Sequence, residues 1–224
     1  MDQTKYQYNK IGNEYIEGQD SFFSERKDLG RDIVANIVGD IRGKKILDVG
    51  CGGGVDLKIF EGKGADVYGI DPSEVMVGFS KQRVKKPGNI QIGEYENIPF
   101  PDHSFDTIFG RFSLHYLKQL DKAYQEIYRV LIPGGQLFQI VSHPAFDLIY
   151  LLREENKNQG LVTIKLYDNE VKVSFPPHTL RDYFSPLFFK FFDLSGINEY
   201  GEEELKDKEQ IIPGALLYCA KARR

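Results

Sequence analysis

The run ILDVGCGGGVD, residues 46–56, decides how the rest of the chain is read. Aliphatic and β-branched residues suited to a buried strand lead straight into four glycines set around Cys51. A glycine-rich turn between a strand and a helix brings a ligand close to backbone N–H groups and the helix N-terminus. A plain tight turn is the simpler alternative. The spacing is G-x-G-x-G, at Gly50, Gly52 and Gly54; a dinucleotide fingerprint needs G-x-G-x-x-G, and its third glycine would fall where Val55 stands. Asp48, two residues before the first glycine, adds a charge argument: it repels a pyrophosphate and attracts a cation.

Working outward, apolar residues at helical spacing (Ile33, Val34, Ile37, Val38, Ile41) predict a helix over 30–41, ended by Gly43. Strands are predicted at Lys45–Val49, at ADVYGID ending on Asp71, at NIQIG (89–93), at DTIFGRF (106–112) and at QLFQIVS (136–142), the last entered through the breaker Pro133-Gly134-Gly135. Leu120, Ala123, Tyr124, Ile127 and Leu131 make one apolar stripe, so 119–131 reads as a helix stopped by Pro133. Strand alternating with helix implies parallel strands, right-handed crossovers and ligands at the carboxyl ends of the strands. After Ser142 the alternation breaks. Residues 161–175 read as a hairpin turning at Asp168-Asn169, Thr179 caps a short helix to about Ser185 that Pro186 interrupts, and strand-like runs at 188–194 and 215–222 complete the sheet. The expected fold is α/β: a Rossmann-like, doubly wound, seven-stranded sheet, mostly parallel with the last strand antiparallel, with helices on both faces and a small inserted hairpin. Residues 1–224 are expected to form a single domain: an N-terminal lid (1–29), a cofactor-binding core (30–142), a substrate-side insertion (143–178) and the completion of the sheet (179–224).

Composition narrows the classes. With 29 Lys and Arg against 33 Asp and Glu, the net charge is −4, which predicts no polyanion-binding surface. Two cysteines, Cys51 and Cys219, make neither a disulfide framework nor a zinc site, and both read as packing residues in a reducing compartment. The polar start MDQTKYQYNK lacks the apolar core of a secretory signal, and no run approaches the roughly 20 apolar residues of a membrane span. A cytoplasmic protein that touches no membrane is expected, with nucleic acid an unlikely partner.

Four blocks, ILDVGCGGG, VYGIDPS, GEYENIPFPDHSFDTIFG and RVLIPGGQL, resemble in order and spacing the class I S-adenosylmethionine-dependent methyltransferases, most closely the small-molecule type 11 methyltransferase domain. The resemblance covers roughly residues 6–142 and is loose over 178–222. The charge argument agrees, because S-adenosylmethionine has no phosphate and carries a sulfonium and an α-ammonium. By position, the resemblance implies that Asp48 and the loop Gly50, Cys51, Gly52 and Gly54 hold the methionyl end. Asp71 would hold the ribose, with Pro72 and Met76 beside the adenine. Glu94, more often Asp in the family, would accept from the adenine amino group, and the Tyr95 backbone N–H would reach the ring. Arg111 and Phe112 would line the methyl-bearing side, and Tyr15 of the lid segment YNKIGNEY would lie near the sulfonium. Arg111 departs from the family's small or apolar residue and serves either an acidic substrate group or the cofactor's carboxylate.

The acceptor side has three candidate bases, His115, His143 and His178, each at a predicted rim position, whereas His103 reads as a surface turn. Tyr167 and the run AFDLIYLL (145–152) are expected to wall the substrate pocket. No Asp/Asn-Pro-Pro-Tyr/Phe tetrapeptide, hydrolase elbow or phosphate loop is present. The reading is methyl transfer to O or N of a small-molecule acceptor, with S-adenosylhomocysteine as product and no metal. The alternatives are a methyltransferase for tRNA or another macromolecule and a non-catalytic S-adenosylmethionine-binding module.

Overall fold

The computed structural model describes residues 6–25, 38–152, 160–167, 171–200 and 214–224. Seven strands form one sheet: β1 (Lys45–Val49), β2 (Asp66–Asp71), β3 (Ile90–Ile92), β4 (Phe105–Arg111), β5 (Leu131–Ser142), β8 (Phe192–Tyr200) and β9 (Ala215–Ala222). Their spatial order is β3-β2-β1-β4-β5-β9-β8. The first five are parallel to one another, and β9 runs antiparallel to both neighbours. A separate two-stranded hairpin pairs β6 (Val162–Leu166) with β7 (Val171–Phe175).

The sheet is doubly wound because its helices cover both faces. Leu57 and Phe60 of α2 (Val55–Gly62) and Val77 of α3 (Glu74–Arg83) pack on one face, with Ile46. Ala123, Tyr124, Ile127 and Val130 of α4 (Asp121–Val130) pack on the other, with Leu47 and Val49. A parallel strand covered on both sides is apolar throughout. By the two-residue alternation of a strand, Asp48 shares the Ile46 side. It is the one carboxylate of β1, and it is buried.

The chain leaves β1 toward β2 and returns to β4 on the other side of it. The carboxyl ends of β1 and β4 therefore flank the point where winding reverses, the place such sheets keep for ligands. Tyr95 braces that point from beneath. Its Oη lies 3.0 Å from the Val49 carbonyl, 2.9 Å from Ser113 Oγ and 3.3 Å from Gln139 Oε1, so one hydroxyl joins β1, β5 and the turn after β4.

α1 (Tyr8–Glu25) lies across the same end. Gly12 lets it approach Val75 of α3, where an added Cβ would meet Val75 Cγ1 at 2.7 Å, and Asp20 pairs with Arg83 at 3.0 Å. The Gln7 side chain donates to the Ser174 carbonyl at 2.9 Å and accepts from the Ser174 N–H at 3.0 Å. That amide treats β7 as a neighbouring strand would, and it fastens the start of α1 to the hairpin.

Several local expectations are corrected. The helix predicted over 30–41 falls mostly outside the described residues, and Val38–Lys44 is turn and irregular chain. The hairpin turn at Asp168-Asn169 also lies outside them. Pro133-Gly134-Gly135 does not precede the fifth strand but sits within it. Leu131 already pairs with Phe105, and pairing resumes at Gln136 with Thr107, so the breaker forms an excursion. The run 188–194 begins as helix α7 (Pro186–Phe191), because Pro186 starts it and Ser185 Oγ caps it by accepting from the Phe188 N–H at 3.2 Å. Thr179 caps α6 (Leu180–Tyr183) with a complete capping box.

A Cβ added at Gly110 would lie 2.2 Å from Tyr95 Oη. Gly110→Ala is therefore expected to lose about 1–3 kcal/mol of stability, read by urea unfolding. Adding Tyr95→Phe, which removes the clashing oxygen, is expected to recover part of that loss.

Candidate functional site

The glycine loop turns at the head of β1, and its Gly50 and Cys51 N–H groups both donate to the Ile70 carbonyl, at 2.8 and 3.0 Å. Gly50, Gly52 and Gly54 have φ of +76°, +50° and +78°, the left-handed region that favours glycine. What surrounds them differs. A Cβ at Gly50 would strike Ser113 at 2.3 Å, at Gly53 Ile16 of α1 at 2.5 Å, and at Gly54 Ser80 at 2.5 Å. Gly52 has nothing within 4 Å. Three glycines of the loop thus make room for the protein itself, and Gly52 opens onto free space.

Asp71 ties this loop to β2. Its Oδ2 accepts from the Gly52 N–H and its Oδ1 from the Ser73 N–H, both at 2.9 Å. Burial pushes its carboxyl up to about 6 despite these two bonds. Asp48 is 2% exposed and makes no side-chain hydrogen bond among the described residues. Its pKa is driven well above the carboxylate range by burial first and then by the charge of Asp56; Arg111 opposes the shift. Arg111 Nε donates to Asp56 Oδ2 at 2.7 Å, with both side chains largely buried. Asp56 Oδ1 is buried with no hydrogen-bond partner among the described residues. Sequence reading passed over Asp56, although an acid in the first turn of a helix after a glycine loop carries a signal.

Pro72 is half-buried between Asp71 and Ser73. Met76 is buried, its Cε 3.6 Å from where a Cβ of Gly12 would lie, so α1 covers it. Glu94 accepts a hydrogen bond from the Tyr6 hydroxyl, whose pKa rises to about 12 in consequence. The Tyr95 ring is committed to the brace below the sheet end. Phe112 holds φ at +51° and is 46% exposed directly after β4, a strained conformation at a strand end.

A chain of aromatic rings runs from Phe112 through His115 and Tyr116 to Tyr8, Tyr15 and Tyr167, with centroids 4.6 to 6.2 Å apart. The Tyr8 and Tyr116 hydroxyls lie 2.8 Å apart, and the side chains of Tyr15 and Tyr167 are hydrogen-bonded. α1, the segment after β4 and the hairpin meet in this cluster.

The structure does not bring the three histidines together in one role. His143 is fully engaged: Nδ1 accepts from the Ala145 N–H at 3.1 Å, capping α5 (Pro144–Leu151), and Nε2 donates to Glu199 at 2.8 Å. His178 Nε2 donates to the His115 carbonyl at 3.1 Å, and burial lowers the His178 pKa. His115 is 2% exposed, its Nδ1 has no hydrogen-bond partner among the described residues, and burial pushes its pKa down to about 3. His103 bonds the Leu131 carbonyl from a turn with φ of +53°. Sequence reading missed Asp147, the lone acid of AFDLIYLL. It accepts from Ser142 Oγ and from the His178 N–H, which joins the end of β5 to the segment after the hairpin. Among the described residues no group of His, Cys, Asp and Glu is arranged to hold a metal, and no helix is long and apolar enough to cross a membrane.

Residues 47–139 match the family model described as a methyltransferase domain. A sterol 24-C-methyltransferase of Gibberella zeae is 37% identical over 108 residues, 46% of this chain and 28% of that protein. A demethylmenaquinone methyltransferase of Staphylococcus epidermidis is 31% identical over 154 residues, 65% of this chain and 64% of that protein. The chain thus spans less than two thirds of either relative's length. The crystal structure of an S-adenosylmethionine-dependent methyltransferase from Mesorhizobium loti superposes with a TM-score of 0.67 at 20% identity, covering 85% of this chain and 96% of that one.

Burial raises both Asp71 and Asp147 from 3.8 to about 6. The folded chain therefore binds these protons more tightly than the unfolded chain does. Their stabilising contribution is complete at pH below about 4 and is lost as pH rises through about 6. Asp147→Asn is expected to flatten part of the fall in urea-unfolding free energy across that window, and an unchanged slope counts against the assignment.

Proposed function

We propose that this chain, whose residues 47–139 match the methyltransferase-domain family model, is an S-adenosylmethionine-dependent methyltransferase acting on O or N of a small-molecule acceptor. One observation carries the reading. Asp48 is a buried carboxylate without a hydrogen bond among the described residues, beside a glycine loop whose Gly52 faces open space. A carboxylate desolvated in this way is stable in charged form only beside a cation. The donor set fits S-adenosylmethionine, which supplies a methyl group already activated on a positively charged sulfur.

The chain's own residues bind and orient. Asp48 and the loop receive the amino-acid end. The Asp71 carboxylate, already fixed by two N–H groups, has lone pairs left for the ribose hydroxyls, since each oxygen accepts more than one bond. Pro72 and Met76 border the adenine side, together with the backbone of Glu94 and Tyr95, and the Glu94 carboxylate is shared with Tyr6. Tyr8, Tyr15, Tyr116 and Tyr167 exclude water and turn electron-rich rings toward a positive charge.

On the acceptor side His115 is the ring with an unfilled nitrogen, and at a pKa of about 3 it stays neutral at physiological pH. A buried unpartnered ring nitrogen needs a hydrogen-bonding neighbour. An O–H or N–H acceptor supplies one, and a C–H acceptor does not. His178 holds the His115 backbone, and His143 caps α5, so these two position the acceptor side rather than touch the acceptor. The names of the relatives, a sterol 24-C-methyltransferase and a demethylmenaquinone methyltransferase among them, support a small molecule as the acceptor, while the choice of O or N rests on His115 alone. The aromatic wall suits an apolar acceptor.

Calorimetric titration with S-adenosylhomocysteine, with NAD in parallel, tests the reading. Binding of the first ligand alone is expected, and Asp71→Ala should weaken it roughly tenfold or more. Failure of folded protein to bind S-adenosylhomocysteine overturns the proposal. His115→Ala should leave that affinity unchanged while slowing methyl transfer to hydroxyl or amine acceptors.

A further inference from the structure

We infer that Asp56 is a ligand-binding residue: with Asp48 it receives the α-ammonium of the cofactor's amino-acid end, while its other oxygen holds Arg111 against the α-carboxylate. The inference rests on the cofactor reading above and adds a residue to it. A purely structural Arg–Asp pair tends to use both carboxylate oxygens in two parallel bonds. Here Arg111 Nε meets Oδ2 alone, at 2.7 Å, and Oδ1 is left buried and unpartnered. A buried acceptor without a donor is unfavourable, so Oδ1 marks the place of a donor that the described residues do not provide.

Asp48 lies within reach of the charge of Asp56, which is felt at its carboxyl. Asp48 is 2% exposed and Asp56 is 7% exposed. Asp48 feels the charge of Asp56 in a desolvated pocket, and among the described residues Arg111 is the cation whose charge reaches it. An α-amino acid end brings an ammonium to the two carboxylates and a carboxylate that can join the guanidinium beside its existing partners. Bonding of Nε to Asp56 also fixes the plane of the Arg111 guanidinium, whose rigid fork suits a carboxylate. Arg111 therefore belongs to the cofactor's side of the cleft and not to the acceptor's.

The test is a cycle of four affinities. Wild type and Asp56→Asn are each titrated with S-adenosylhomocysteine and with its desamino analogue, which keeps the carboxylate and lacks the ammonium. Asp56→Asn should weaken S-adenosylhomocysteine roughly tenfold to a hundredfold and leave the desamino analogue nearly unchanged. Equal losses for both ligands identify a structural effect and overturn the inference, as does no loss for either. Wild type gives a second check that needs no variant: equal affinity for the two ligands overturns the inference. Failure of wild type to bind S-adenosylhomocysteine at all removes the cofactor reading, and the inference with it.

Discussion

A buried carboxylate that accepts no hydrogen bond among the described residues organises the head of the sheet. Asp48 cannot move away from its position. It is the fourth residue of a five-residue strand buried on both faces, and a one-residue slip would send Ile46 and Leu47 to the wrong sides of the sheet. The acid is therefore held in a desolvated place by the packing of its apolar neighbours. Isolated buried charge is unfavourable by more than any single hydrogen bond nearby contributes. The loop that follows is arranged to make this position useful. Asp71 pins the Gly52 N–H, the Ile70 carbonyl pins those of Gly50 and Cys51, and the free space begins at Gly52.

The order of strands and the charge logic of the loop are legible in the sequence, because both depend on local pattern. Gly43 and Gly50 bound the first strand, and its apolar run between them needs no distant partner to be recognised. Val55 in place of a third glycine, with Asp48 ahead of the first, is enough to separate two ligand classes. The reason for most of the glycines is not legible. By pattern they clear space for a ligand, yet Ser113, Ile16 and Ser80 fill the spaces beside Gly50, Gly53 and Gly54. Those neighbours come from the turn after β4, from α1 and from α3, and no local pattern announces them.

The histidines show the same limit from another direction. Rim placement is readable from strand ends, but the role of a ring depends on what its two nitrogens meet. His143 meets Glu199, 56 residues away, and His178 meets the His115 carbonyl, 63 residues away. Only the assembled sheet brings these groups together. The helix over Pro186–Phe191 is a milder case. Its aromatic residues favour a strand by propensity, and the Ser185 cap with Pro186 at the first position overrides that preference.

Arg111 links the two halves of the site. It ends β4, pairs with Asp56 at the start of α2, and its charge also reaches Asp48, Tyr15 and Tyr167. One guanidinium thus sits among the glycine loop, the covering helix and the hairpin. Burial disfavours the charged forms of Asp48 and Asp71, so among the described residues the head of the sheet holds acids short of a counter-charge. A ligand bearing a sulfonium, an ammonium and a carboxylate is net positive, so its arrival reduces the buried imbalance while satisfying each sign separately. The tyrosine rings around it need no charge of their own to favour a cation. The head of the sheet is therefore complementary in charge to such a ligand, and the helix Tyr8–Glu25 lies across the same end.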